Sequence, residues 1–236
     1  MPQRRLHSKR GMSRRRRGAL AAALVGIVLF GALPFSALAS DWEVIASRDG
    51  IVVSRRAVAG RAFPELRAVG EVVGTPYEVL AILTDVPAYV EWLPDCVESK
   101  SVRRIDAWRS IIYTRTDVPW PIADREVVVD NVVSFIAPPS KVTVAFAAIP
   151  APDVTQGVGT IRMEHATGFY AIETIDEGRS RVQYQIDADP GGTLPDWLIR
   201  LQSTRNPLET IAGLRRRLEE TRGRYDDQIA RFPSGS

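Results

Sequence analysis

Residues 187–225 read DADPGGTLPDWLIRLQSTRNPLETIAGLRRRLEETRGRY, and the rest of the chain is interpreted against this stretch. Pro190 cannot donate a strand hydrogen bond, and Gly191-Gly192 permits a sharp reversal, so a strand ends here. A long helical pattern follows. Thr193 and Asp196 have capping-box spacing, with Pro195 near the first position. At about 100° per residue, Trp197, Leu201, Thr204, Leu208, Ile211, Ala212 and Leu218 fall on one face. Arg215 intrudes on that face for no reason visible in the sequence. Asn206-Pro207 either kinks the helix or restarts it, with Asn206 as cap and Glu209 in capping-box place.

Nearly everything upstream reads as strands. Segments 42–47 and 51–58 flank Arg48-Asp49-Gly50, and Asp-Gly between apolar runs signals a hairpin. Segment 66–73 alternates as a third strand. Thr75, Pro76 and Glu78 then open a short helix with an apolar face of Tyr77, Leu80, Ala81 and Leu83. Segments 97–105 with 109–116, and 127–136 with 141–148, read as strand pairs. The stretch between the two pairs is stiffened by prolines on either side of Trp120. A Pro-rich loop spans 149–157. Segment 160–175 reads as one long strand, open to a break at Gly168. Segment 181–187 puts Val182, Tyr184 and Ile186 on one face. One amphipathic helix at the end of a β-rich chain requires a concave sheet to lie in, which makes the class α+β.

The first 39 residues are set apart from this domain. They hold eight of the 31 Lys and Arg residues and none of the 28 Asp and Glu. An uncharged run over 18–39 ends after Pro34 in Ala37-Leu38-Ala39. Basic start, apolar run and small-residue cleavage site together describe a signal peptide. The alternative is an uncleaved anchor, since the run is long enough to span a bilayer. Cleavage implies a periplasmic or secreted protein, and anchoring a membrane-attached one. Without the leader, 23 basic residues face 28 acidic ones, so nucleic acid is not expected as a partner. Residues 40–230 suit one domain, expected as a monomer, and 231–236 a frayed tail. Cys96 is the lone cysteine, and His165 the lone histidine after the leader. That excludes an internal disulfide and a Cys/His zinc site. No nucleophile elbow, phosphate loop or dinucleotide fingerprint occurs, so no cofactor or metal is expected.

Three further stretches carry a resemblance. They are Glu91-Trp92-Leu93-Pro94, then Pro119-Trp120-Pro121 with Asp124-Arg125-Glu126, then residues 189–198 with Pro, Gly-Gly, Leu-Pro and Trp at fixed offsets. The chain from 42 to 224 resembles START domains of the bacterial exported type, within the lipid-transfer branch of the helix-grip (SRPBCC) superfamily. Arg125-Glu126 departs from the family's usual Arg-Asp and keeps the charge. The resemblance implies a curved antiparallel sheet gripping the C-terminal helix, with a hydrophobic tunnel between them. It implies that Tyr113 or Arg115, and Asn131, stand where head groups are met. Otherwise those three are paired or solvent-facing in the sheet. Trp197, Leu201, Thr204, Leu208 and Ile211 either pack a dry core, the default for such a stripe, or line the tunnel as ligand-binding candidates, and the resemblance favours the tunnel for Thr204 and Leu208. Arg125 is expected in an ion pair with Asp117 or Asp124. Loops 118–124 and 149–157, with the start of the last helix, are the expected lid.

The expected function is non-enzymatic binding and transfer of a lipid or other apolar small molecule, with transient contact at a membrane surface. One alternative is a polyketide cyclase or dehydratase, in which Glu126, Asp117 or His165 acts as acid or base. Another is a lipid-sensing envelope protein. Cleavage after Ala39 predicts that the exported form begins at Ser40. N-terminal sequencing checks this, and a full-length species held in the membrane would overturn it.

Overall fold

The computed structural model describes residues 41–234; the expected signal peptide lies outside them. β1 (Glu43–Arg48) and β2 (Ile51–Arg56) form the expected hairpin. Asp49 and Gly50 turn it with φ of 52° and 70°, the positive pair that a type I′ turn requires. β3 (Glu65–Val73) follows, then α1 (Pro76–Thr84). The predicted capping box is present. Glu78 N donates to Thr75 Oγ1 at 3.2 Å, and Thr75 N donates to Glu78 Oε2 at 2.7 Å. A short α2 (Tyr89–Trp92) leads to β4 (Cys96–Arg104), β5 (Arg109–Thr116), β6 (Asp124–Ala137) and β7 (Lys141–Ala148). Then come β8 (Thr160–Arg162), β9 (His165–Asp176), β10 (Arg179–Asp189), the long α3 (Asp196–Glu220) and one closing turn, α4 (Asp226–Ile229).

The strands lie in the order β1-β2-β3-β10-β9-β7-β6-β5-β4, with β8 paired in parallel to β6. Pairing of β3 with β10 stitches the start of the domain to its last strand. The sheet and α1 thereby enclose α3, whose C-terminal half packs into the core. Ile211 and Leu214 are fully buried there, among Ile51, Val53, Val72 and Leu80. The chain does not break at Gly168. It leaves the sheet at Met163-Glu164, and β9 runs on through the glycine. A Cβ on Gly168 would stand 2.2 Å from Gln185 O and 2.5 Å from the Phe146 ring. Glycine at that position makes room for the aromatic ring.

Helix α3 differs from expectation in two respects. It begins at Asp196, with Pro195 as the cap residue and no side-chain cap, so Thr193 does not cap it. Pro195 O instead accepts from Leu198 N and Ile199 N. The helix also runs unbroken through Pro207. The ring removes one backbone donor, and Thr210 Oγ1 donates to Asn206 O at 2.8 Å one turn later. Arg215 now has a role. Its Nε donates to Glu71 O and its Nη1 to Asp49 O, each at 2.7 Å, tying the helix to β3 and the first turn. The tail is ordered further than expected. Phe232 packs edge-on against Tyr77 and Trp108.

Gly213 marks where α3 and α2 touch. A Cβ there would stand 2.3 Å from Trp92 O. Gly213→Ala should therefore lower stability by about 1–3 kcal/mol through overpacking, although alanine is favoured in helices by ~1 kcal/mol. Thermal or urea unfolding checks this; an unchanged or raised midpoint contradicts the close contact.

Candidate functional site

A cavity of about 300 Å³ lies between the sheet and the N-terminal half of α3. Its floor alternates inward along each strand, with Ile112 and Thr114 on β5, then Val127, Val129 and Asn131 on β6. Val144 and Phe146 on β7 continue it, then Tyr170 on β9 and Tyr184 and Ile186 on β10. Leu198, Ile199, Gln202, Ser203 and Asn206 of α3 form the roof, and Tyr89 and Leu93 one end. Phe63, Pro64, Val118, Pro190 and Leu194 border it from loops.

Of the residues expected at the site, Asn131 alone lines this cavity. Its side chain is buried and has no hydrogen-bond partner among the described residues. Tyr113 and Arg115 point to the opposite face of β5, because the lining residues are their even-numbered neighbours Ile112, Thr114 and Thr116. Tyr113 packs with Ile111 and Val128 beneath Ile149, Ala151 and Val154. The loop 149–157 thus covers the outer face and is not a lid, whereas Val118 in the other expected lid loop does border the cavity. Arg115 lies 3.8 Å from Asp124 and 3.9 Å from Glu98, also outside.

On α3 the inward ridge is Leu198, Gln202, Asn206, Thr210, Leu214 and Leu218, a spacing of four. Trp197 and Leu201 consequently face outward, 53% and 46% exposed. Thr204 is half-buried beside the roof, and Leu208 and Ile211 belong to the dry core. The physical reason is that this helix has two environments. Its C-terminal half meets a packed core, so apolar side chains mark the inward face. Its N-terminal half meets a cavity, where polar Gln202, Ser203 and Asn206 face inward. Apolar periodicity detects only the first case. Asn206 already stood out beside Pro207; nothing in the pattern singled out Gln202 and Ser203.

Arg125 is held differently from expectation. It is buried and makes no carboxylate pair among the described residues. Its Nε donates to Pro190 O at 3.1 Å, its Nη2 to Gly191 O at 3.0 Å, and its Nη1 to Ala123 O. Burial outweighs nearby Asp124 and lowers its pKa. The side chain borders the cavity mouth and fixes the linker that aims α3.

The START domain family model matches residues 39–223. The chain belongs to the START domain family. An uncharacterised protein of Pseudomonas aeruginosa is 29% identical over 206 residues, covering 86% of this chain and 99% of that protein. The phosphatidylcholine transfer protein of Mus musculus is 25% identical over 166 residues, covering 68% and 75%. Among solved structures, a STAR-related lipid transfer protein fragment from Xanthomonas axonopodis superposes with a TM-score of 0.68 at 27% identity. That match covers 76% of this chain and 99% of that one. The helix-grip architecture is therefore the one expected of this START domain.

Glu126, the second member of the Arg125-Glu126 pair, serves the outer face of this START domain. Burial alone would raise its pKa. Gly157 N at 3.0 Å, Arg162 Nε at 2.7 Å and the Tyr113 hydroxyl at 2.9 Å outweigh that and hold it below the usual carboxylate range. The carboxylate staples loop 149–157 to the sheet.

Ser203 and Leu208 separate the cavity from the core on one helix. Ser203→Trp should fill cavity volume with little change in melting temperature and with loss of apolar-dye binding. Leu208→Trp should overpack the core and cost about 1–3 kcal/mol. Equal destabilisation by both would show that no usable cavity lies under Ser203.

Proposed function

We propose that this START domain binds one lipid or similar apolar small molecule in the cavity under α3 and moves it between membranes without altering it. The observation that carries this reading is the wall itself. It is predominantly apolar, and Arg125, already engaged by three backbone carbonyls, is its one charged side chain among the described residues. The residues that an enzyme of this fold would need here, Glu126, Asp117 and His165, are absent from the lining. Glu126 is fully engaged on the other face, and His165 lies 3.2 Å from Asp187. Similarity to proteins named for lipid transfer in mouse and Xanthomonas supports the same reading.

Exchange is energetically feasible. Burying a methylene is worth about 0.8 kcal/mol in protein or bilayer alike, so a carrier needs only a small polar bias in either direction. Asn131, Gln202, Ser203 and Asn206 supply neutral hydrogen-bonding groups for it. Trp120, Trp197 and Leu201 are exposed on elements that border the mouth, and they form the surface we assign to transient membrane contact. Action outside the cytoplasm rests on the composition of residues 1–39, and we propose it on that ground.

Native mass spectrometry of the protein from its own host should show one apolar ligand per chain, recovered unmodified on solvent extraction. Purified protein should also speed transfer of that ligand between vesicles. A product that accumulates with time and is lost on Glu126→Gln or His165→Ala would overturn the carrier reading in favour of an enzyme. Tight binding without faster transfer would indicate a sensor.

A further inference from the structure

Two tyrosines at the inner end of the cavity are unexplained by packing. Tyr170 on β9 and Tyr184 on β10 stand directly opposite each other in the ladder. Their rings stack with centroids 4.8 Å apart and planes within 24°. The side chains leave the sheet on the same face, so the hydroxyls project together. Both residues are buried, both belong to the core cluster, and both line the cavity. Neither hydroxyl has a hydrogen-bond partner among the described residues, and neither is sealed from the cavity. Their neighbour Tyr89 differs, since its hydroxyl donates to Leu83 O at 2.6 Å.

Because the two hydroxyls are not sealed, they open into the cavity, and phenylalanine would give the same stacking without offering a donor there. Two such hydroxyls side by side, facing one cavity, are the signature of groups that bind something other than the protein. Burial pushes both phenols up in pKa, so they remain donors at neutral pH. The surrounding wall is Val144, Phe146 and Ile186, and it offers no counter-charge. An ionised head group would be buried there unpaired. The size of the space narrows the choice further. A dry cavity of about 150 Å³ accepts benzene, so about 300 Å³ accepts roughly a dozen non-hydrogen atoms.

Building on the carrier reading above, we propose that Tyr170 and Tyr184 form a head-group site for a single uncharged oxygen, a hydroxyl or a carbonyl, carried inward on an otherwise apolar molecule. Both tyrosines donate to a carbonyl oxygen; with an alcohol one tyrosine donates to the oxygen and the other accepts from the ligand hydroxyl. The polar groups of α3 then meet the trailing part of the ligand rather than its leading end. A fatty acid anion or a phosphate ester is disfavoured at the inner end, because no cation waits there.

The test is displacement of the uncharged dye N-phenyl-1-naphthylamine from the purified chain by ten-carbon probes: decane, 1-decanol, 2-decanone and decanoate. The ratio of decanol to decane affinity is compared between wild type and the variants Tyr170→Phe, Tyr184→Phe and the double variant, so that probe solubility cancels. Each lost hydroxyl should lower the ratio about fivefold, the scale of one net hydrogen bond, with 2-decanone following decanol. Melting temperatures establish that the variants fold. In wild type alone, decanoate should bind less well at pH 8 than at pH 4, where it is protonated. A ratio unchanged in the double variant, or decanoate binding as tightly as decanol at pH 8, overturns the tyrosine site while leaving the cavity reading intact. Failure of every probe, decane included, to displace the dye from wild type would instead remove the carrier reading itself.

Discussion

The guanidinium of Arg125 reaches from the start of β6 to the carbonyls of Pro190 and Gly191, and the position of α3 depends on that contact. A buried cation without a carboxylate would be expensive in an apolar setting. Here the carbonyl dipoles of the chain reversal stand in for a counter-ion, and Ala123 adds a third. The planar fork of arginine spreads five donors over three nitrogens in fixed directions and so reaches three separate carbonyls, whereas lysine offers its three donors from a single nitrogen. Fixing the reversal in this way sets where the helix leaves the sheet, and so how much space remains beneath its first turns. The same strand carries Glu126, whose bonds face the other way and bind down loop 149–157. One dipeptide thus ties both faces of the sheet at the same point.

From that point α3 divides into two parts with different physical roles. The C-terminal half is locked by packing, by the Gly213–Trp92 approach, by Arg215 on two carbonyls, and by the Arg217–Glu91 pair. The N-terminal half leaves Trp197 and Leu201 outside, while Gln202, Ser203 and Asn206 join Leu198 and Ile199 inside. Apart from fully buried Leu198, it meets the cavity rather than the packed core. The loops bearing Phe63 and Val118 also meet the cavity at this end. Pro207 lies near the junction of the two halves, where the helix has already given up one backbone bond.

Local signals hold wherever the chemistry is local. Asp49-Gly50 implied the first hairpin, and Thr75-Pro76 with Glu78 implied the capping box; both are present because a turn or a cap involves only adjacent residues. The strand pairs also lie close to their expected positions. Thr193 does not cap because the helix starts two residues later, with Pro195 at the cap position and no side chain there to accept from the first turn. Gly168 misled because its role is to admit Phe146, a residue on another strand. Tyr113 and Arg115 misled because the face on which a strand residue stands reverses with a shift of one, and even-numbered neighbours face the cavity.

Composition, turn chemistry and the order of strands and helices determined the fold class and family of this protein, since these depend on short-range preferences and on the need to bury one face of each element. Which residues touch a ligand was decided by tertiary structure alone. A carrier leaves part of its interior unpacked, and there the rule that apolar means inward fails. Gln202, Ser203 and Asn206 face in while Trp197 and Leu201 face out. Tyr170 and Tyr184 become a site only when β9 and β10 bring them into register. No spacing within the chain records that meeting, because it is made by the pairing of strands rather than by either strand.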